Sequence, residues 1–317
     1  MVMNMPADRH AAVSPFAQFS IGDPGRAAVE LTAGPPSAPC APADVEISVA
    51  SLPGVRILGA TTRGLQHRAA GTPRQDAFAL GRSVTGEIER TIAVVCDGVG
   101  SLGQSDVAAV LVSRRLAGLG AEGTPWAEAF ACANTELCEL AQEILAEDGA
   151  DRVRDGMATT VVAVAVHREV DEWVGTVAWV GDSTLWHLRA DAQWELVTGV
   201  TDPDIDAEFH SSGVTPLPSA DGKCSSLDFR LSGGALFVMS DGVGNPLKWI
   251  PEVQETLAAW WLRPPDPFTF AAQVGFARKT HMDDRTVVGI WPAADQGRED
   301  PDAAVSPSPT DTTDGEK

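Results

Sequence analysis

Residues Ile92–Ala109 read IAVVCDGVGSLGQSDVAA: an apolar run ending in Asp97-Gly98, further glycines at 100 and 103, then the first turns of a helical pattern. Glycines at this spacing after a strand could serve a dinucleotide fold, in which a strand must follow the helix and an acid lies about 20 residues on. Here SDVAAVLVSRRLAGLG runs instead into a second helical stretch, PWAEAFACANTELCELAQEILAED. Asp97 would also set a carboxylate beside the pyrophosphate, which repels it. The stretch therefore reads as a buried strand that delivers a carboxylate, with Gly98 permitting a tight turn whose carbonyl oxygen faces the same way. Hard cations seek oxygens of this kind.

Outward from this strand the pattern repeats. Strands are expected at 91–96, 159–167, 173–181, 183–190, 225–231, 235–240 and 285–291, several of them almost continuously apolar, as strands covered on both faces are. Helical periodicity appears in the two stretches above and again over about 251–262 and 267–279. Strand, two helices, many strands, two helices is a poor match to alternating βαβ units and points to an α+β, layered sandwich. A single catalytic domain over residues 51–292 is expected. It is flanked by disordered segments at 1–50, rich in Pro, Ala and Gly, and at 293–317, acidic.

Aspartates recur at the strand ends. WVGDST places Asp182 after one strand, VMSDGVG places Asp241 after another, HMDDRTVVGI places Asp283 and Asp284 before a third, and RQDAFAL adds Asp76. One such Asp is a turn residue; several, each abutting an apolar strand, suggest convergence. Carboxylates meeting in one pocket raise each other's pKa unless a cation compensates. With Asp, and not His or Cys, the residue that recurs at these strand ends, Mg²⁺ or Mn²⁺ is favoured over zinc. Two such ions about 3.5–4 Å apart are suited to phosphoryl displacement.

Bulk properties exclude other classes. A net charge of −21 disfavours nucleic acid, which is held by clustered Lys and Arg. No apolar run approaches the roughly 20 residues that cross a bilayer, and the N-terminus lacks a signal pattern, so a cytoplasmic protein without membrane association is expected. Cysteines 40, 96, 132, 138 and 224, an odd number without C-x-x-C spacing, are expected to be free thiols. An aspartyl-nucleophile phosphatase needs D-x-D, and Val99 stands at the second position.

RQDAF, CDGVGS with SDVAA, DGMATTVVAV, WVGDST, LFVMSDGVG and DDRTVVGI, in this order over about 57–291, resemble the motifs of the bacterial-type, metal-dependent protein phosphatases of the type 2C family. The resemblance implies a four-layer α-β-β-α sandwich, two central, mainly antiparallel sheets flanked by helix pairs, with a binuclear Mn²⁺ or Mg²⁺ site at one end. By position, Asp97 would bridge the ions, the Gly98 carbonyl would bind one, and Asp241 and Asp283 the other. Asp76 and Asp182 would hold metal-bound waters, Asp182 with Asp241 could take a third ion, and Asp284 would stand behind the ligands. The family reaction is attack by a metal-bridging hydroxide on phosphoserine or phosphothreonine, without a phosphoenzyme. Implied partners are phosphorylated proteins, the products of a Ser/Thr kinase, met by a monomer.

The pattern also departs from the family. The expected phosphate-binding Arg, five residues before Asp76, is Gly71, and TTRGLQHRAAGTPRQDAF appears to carry a short insertion; Arg68 is the candidate replacement, with Arg63 and Arg74 as alternatives. Some relatives have a His after Asp-Gly where Val99 stands. His67 and His281 lie beside site residues, but neither is assigned a role and water is expected to protonate the leaving oxygen. Thr159 and Thr160 are read as strand starters, the Trp residues (173, 179, 186, 194, 249, 260, 261) as core, and the stretch 198–223 as a variable substrate-side loop. The alternative to an enzyme is a pseudophosphatase, a binding module on the same scaffold.

Overall fold

The computed structural model describes residues 17–26, 33–36, 41–99, 104–145, 157–199 and 216–293. Strands β1 (Val45–Leu52), β2 (Val55–Thr62), β7 (Thr184–Leu188), β8 (Trp194–Leu196), β10 (Ala235–Met239) and β11 (Arg285–Pro292) form one sheet, in the order β1-β2-β11-β10-β7-β8. The second sheet runs β3 (Ala77–Thr85), β4 (Ile88–Val99), β5 (Ala158–Glu169), β6 (Glu172–Val180) and β9 (Ser225–Ser232). Neighbouring strands pair antiparallel throughout.

Why the strands read as apolar on both sides is visible in β4. Ile92, Val94 and Cys96 pack beneath helices α2 (Ser105–Glu122) and α3 (Trp126–Leu145), which bring Val112, Leu116 and Phe130 to them. Ala93 and Val95, pointing the other way, meet Ile57, Val238 and Val288 of the opposite sheet. Successive strand residues alternate faces, so a strand sandwiched between helices and a sheet loses its polar phase. The other sheet is covered by α4 (Asp241–Trp249), α5 (Pro251–Trp261) and α6 (Pro267–Val274), through Leu247, Leu257, Trp261 and Phe270 on Phe237 and Trp291. Helix, sheet, sheet, helix is the layered sandwich the pattern suggested.

Four readings change. The folded body begins before residue 51: β1 starts at Val45, and Ile21 is 2% exposed in the core, with its amide on the Ala277 carbonyl at 3.2 Å. The proline-rich stretch around residues 34–44 obscured the alternation of VEISVASL that follows it. The helix expected over 267–279 ends at Val274, where Gly275 follows and Ala277 bridges Ser20. Helix α4 was not expected, since Gly242, Gly244 and Pro246 are poor helix formers; packing of Val243 and Leu247 overrides that propensity. Trp249, expected in the core, is 72% exposed at the end of α4. Cys96, Cys132, Cys138 and Cys224 are free. No helix among the described residues is long and apolar enough to cross a membrane. Most of the stretch read as a substrate-side loop, residues 200–215, and the acidic segment from 294 lie outside the described residues.

Candidate metal centre

Sheet ends converge at one edge of the sandwich. Asp97 lies near the end of β4 opposite Thr160 of β5, Asp182 just follows β6, Asp241 opens α4 directly after β10, and Asp283 precedes β11. Asp97, Gly98, Asp182, Asp241 and Asp283 line a single cavity of about 430 Å³, together with Thr160 and His67. Asp97 and Asp283, 186 positions apart in the chain, thus meet because antiparallel strands return their ends to the same rim.

Glycine at 98 is a packing requirement. A Cβ there would stand 2.8 Å from the Gln75 carbonyl oxygen and 2.8 Å from Cβ and O of Ser105. Gly98 is not in the tight turn the sequence suggested: it pairs with Thr159 inside β4, and this end of the strand is pressed between the loop before β3 and the start of α2. Gly242 is similar, since any side chain would collide with the Asp284 carbonyl.

The cavity concentrates negative charge that the protein does not neutralise. Burial, then the charges of Asp76 and Asp241, hold the Asp97 carboxyl well above the ordinary carboxylate range. Asp241 is pushed up to about 6, chiefly by burial, with Asp182 and Asp283 adding repulsion. Burial also raises Asp182. Among the described residues, no Lys or Arg lines the cavity. Ionised together, these carboxylates need a compensating cation, and their oxygens with the Gly98 carbonyl form a hard donor set. The residues present fit divalent cations.

Asp76 stands behind this rim. It is 2% exposed, and its Oδ2 accepts from Ser240 Oγ at 2.7 Å and Thr286 Oγ1 at 2.8 Å. Its pKa is raised well above normal, first by burial and then by Asp284. It does not line the cavity but acts on Asp97 through its charge. Asp284 is also buried, with Oδ1 on the Gly64 amide at 2.6 Å and Oδ2 on the Gln75 amide at 2.5 Å, so it fastens both ends of the loop that carries His67.

The candidate arginine is placed elsewhere. Arg68 lines a separate cavity of about 270 Å³ with Thr62 and Phe268. Its Nη1 donates to Asp44 Oδ2 at 2.9 Å and its Nε to the Arg63 carbonyl at 3.0 Å. Arg63 donates to Asp44 at 3.2 Å, and Arg74 to the Asp76 carbonyl at 2.8 Å and Glu46 at 3.1 Å. The structure brings the five acidic-rim residues together and does not bring Arg68 to them. Acidic partners contributed by residues 44 and 46, from the segment read as disordered, draw these guanidinia away.

Sequence reasoning missed the polar supports. Arg285 is buried, its pKa lowered to about 10 by desolvation, and its Nε donates to the Gly242 carbonyl at 3.0 Å while Nη1 and Nη2 reach the Phe276 and His281 carbonyls, each at 2.5 Å. It ties the start of α4 to the segment before β11. The available signal was a charged residue and a threonine, Arg285-Thr286, opening an otherwise apolar strand. His281 offers its carbonyl here and is not among the cavity's residues.

A sequence model of the family described as Protein phosphatase 2C matches residues 63–273. Among solved structures, the chain is similar to the serine/threonine phosphatase of S. agalactiae, at 18% identity and a TM-score of 0.54, covering 78% of this chain and 100% of that one. A variant of a bacterial serine phosphatase is 21% identical with a TM-score of 0.52, covering 74% and 97%. The serine/threonine phosphatase Stp1 from Staphylococcus aureus is 17% identical with a TM-score of 0.51, covering 78% and 98%. At these identities the structural likeness establishes the fold. No curated protein sequence gives a significant match.

Proposed function

The chain belongs to the protein phosphatase 2C family, and from that premise we propose that it is a metal-dependent protein phosphatase that hydrolyses phosphoserine and phosphothreonine. The observation that carries this reading is the meeting of Asp97, Gly98, Asp182, Asp241 and Asp283 in one cavity. Two divalent cations, Mn²⁺ or Mg²⁺, would be held there by Asp97, the Gly98 carbonyl, Asp241 and Asp283, with Asp182 available to a third. When bound they would supply the positive charge and Lewis acidity that phosphoryl displacement requires.

The chain's own residues do the rest. Asp97 and Gly98 are consecutive residues of β4, so a carboxylate and a backbone carbonyl would be offered to the ions together. Asp76, Ser240 and Thr286 lock the strand ends behind them. The Thr160 hydroxyl is tied to Ser183 at 2.8 Å, and the described residues bring no cysteine to the cavity, which supports direct attack of water on phosphorus. In that step the water oxygen bonds to phosphorus as the bond to the serine or threonine oxygen breaks, and the leaving oxygen gains a proton. The partners would be phosphorylated proteins, products of a Ser/Thr kinase, acted on in the cytoplasm by a monomer.

The test is hydrolysis of a phosphothreonine peptide by the full chain with Mn²⁺, with EDTA, and in Asp241→Asn. Turnover that requires Mn²⁺ and falls at least a hundredfold in the variant supports the reading; turnover in EDTA overturns it. A second reading, a cation-binding pseudophosphatase, is favoured by one observation: Arg63, Arg68 and Arg74 are all engaged away from the cavity. Cation binding without turnover would select it.

A further inference from the structure

His67 is the one imidazole lining the acidic cavity among the described residues, and its two ring nitrogens face different partners. Nδ1 lies 2.9 Å from the Pro73 carbonyl oxygen. A carbonyl only accepts, so Nδ1 carries the hydrogen. The same nitrogen is 3.3 Å from Asp284 Oδ2. Nε2 is turned the other way, 3.4 Å from Asp283 Oδ1. In the neutral ring this leaves the Nε2 lone pair opposite a carboxylate oxygen, two acceptors with nothing to share.

A cation between them resolves that conflict. Two ligands about 2.1 Å from one ion stand about 3.0 Å apart at the octahedral angle and about 3.4 Å at the tetrahedral one, so the 3.4 Å between Nε2 and Oδ1 admits a shared ion with little movement. The one oxygen or nitrogen atom that each of His67, Asp283 and Asp284 offers lies within 4.8 Å of the others. Asp284 completes a known arrangement, since a ligating histidine commonly gives its other N–H to a carboxylate or a backbone carbonyl, which fixes the tautomer and raises the ligand's basicity. Here the Pro73 carbonyl takes that hydrogen with Asp284 Oδ2 beside it, and Asp284 also holds the Gly64 and Gln75 amides, which ties the loop that carries the ring to the residue next to Asp283.

We infer that His67 Nε2 joins Asp283 as a ligand to one of the ions, making it a mixed nitrogen–oxygen site that prefers Mn²⁺, Co²⁺ or Zn²⁺ to Mg²⁺. This rests on the cation-binding reading above and deepens it. Imidazole suits the later divalent ions, whereas Mg²⁺ keeps to oxygen and water. The site therefore differs from the all-oxygen set that its aspartates alone suggest.

Pulsed electron paramagnetic resonance of the full chain loaded with Mn²⁺ reads the ligand directly. A directly bound ¹⁴N coupling is expected, replaced by a ¹⁵N coupling when the protein is labelled with [¹⁵N]histidine, which needs no variant. In His67→Gln the coupling should vanish, and calorimetry should show Mn²⁺ affinity at one site falling about 10- to 100-fold, with Mg²⁺ affinity changed less than threefold. Bound Mn²⁺ without nitrogen coupling, or coupling that persists in His67→Gln, overturns this inference and leaves the cation-binding reading intact. No Mn²⁺ binding at all overturns both.

Discussion

Asp97 and Asp241 line the same cavity, and the charge of Asp241 adds to burial in raising the Asp97 carboxyl. Asp241 is held at about 6 against an ordinary 3.8. Between those values the folded chain keeps a proton that the unfolded chain has released, so stability falls as pH rises through the window. For Asp241 alone the loss is on the order of 1–3 kcal/mol. Thermal unfolding of EDTA-treated protein should therefore show a lower Tm at pH 7 than at pH 5, with a shallower slope in Asp241→Asn. An unchanged slope in that variant would show that Asp241 does not carry the proton that sets the slope.

The same repulsion makes Asp97 costly to the fold and useful to the site. Asp97→Asn removes one charge from the cluster while keeping its shape. The cation-free variant should be more stable at pH 7 by on the order of 1 kcal/mol, or about 2–4 °C in Tm. Millimolar Mn²⁺ should raise the Tm of the native protein and leave the variant unmoved, because a ligand stabilises only the state that binds it. Scanning calorimetry with and without Mn²⁺ decides this; equal shifts in both proteins would remove Asp97 from the ligand set.

Ser240 matters for a different reason. Its hydroxyl donates to Asp76 and its oxygen accepts the Thr286 amide at 3.0 Å, so it joins β10 to β11 behind the cavity. In Ser240→Ala both partners are buried and lose a bond, at a cost of about 1–3 kcal/mol. Urea unfolding should show a lower midpoint with an unchanged slope. Mn²⁺ affinity should fall less than in Asp97→Asn, since Asp76 does not line the cavity.

How far these features were legible from the residues alone depends on their range. The strands β4, β5, β10 and β11 were visible because two buried faces leave a continuous apolar run, and Asp97, Asp182, Asp241 and Asp283 were visible as acids punctuating those runs. β1 and α4 were not, because proline-rich surroundings in one case and two glycines and a proline in the other contradict the local signal that packing later overrules. The partners of Arg68 were beyond reach for the same reason: they depend on Asp44 being folded back against α1 (Leu65–Ala70), a contact between segments with no shared pattern. His67 was noticed as a neighbour, but which of its nitrogens faces the acids is set by the Pro73 carbonyl and by no motif.

Gly98 provides the most local test of the site's geometry. The end of β4 at Gly98 is enclosed by the Gln75 carbonyl and by Ser105, whose own hydroxyl donates to the Val99 carbonyl at 2.7 Å. A methyl at position 98 must push the loop before β3 or the start of α2 outward, at a cost of about 1–3 kcal/mol. Either displacement shifts the backbone carbonyl and the adjoining Asp97 together, so Gly98→Ala should lose affinity at the site these two share before the fold is lost. Calorimetric titration with Mn²⁺ at pH 7, on protein shown by circular dichroism to be folded, is expected to find one ion's affinity reduced more than tenfold. If both ions bind as tightly as in the native protein, the backbone at Gly98 has no part in holding them, and the ligand set reduces to the side chains of the rim.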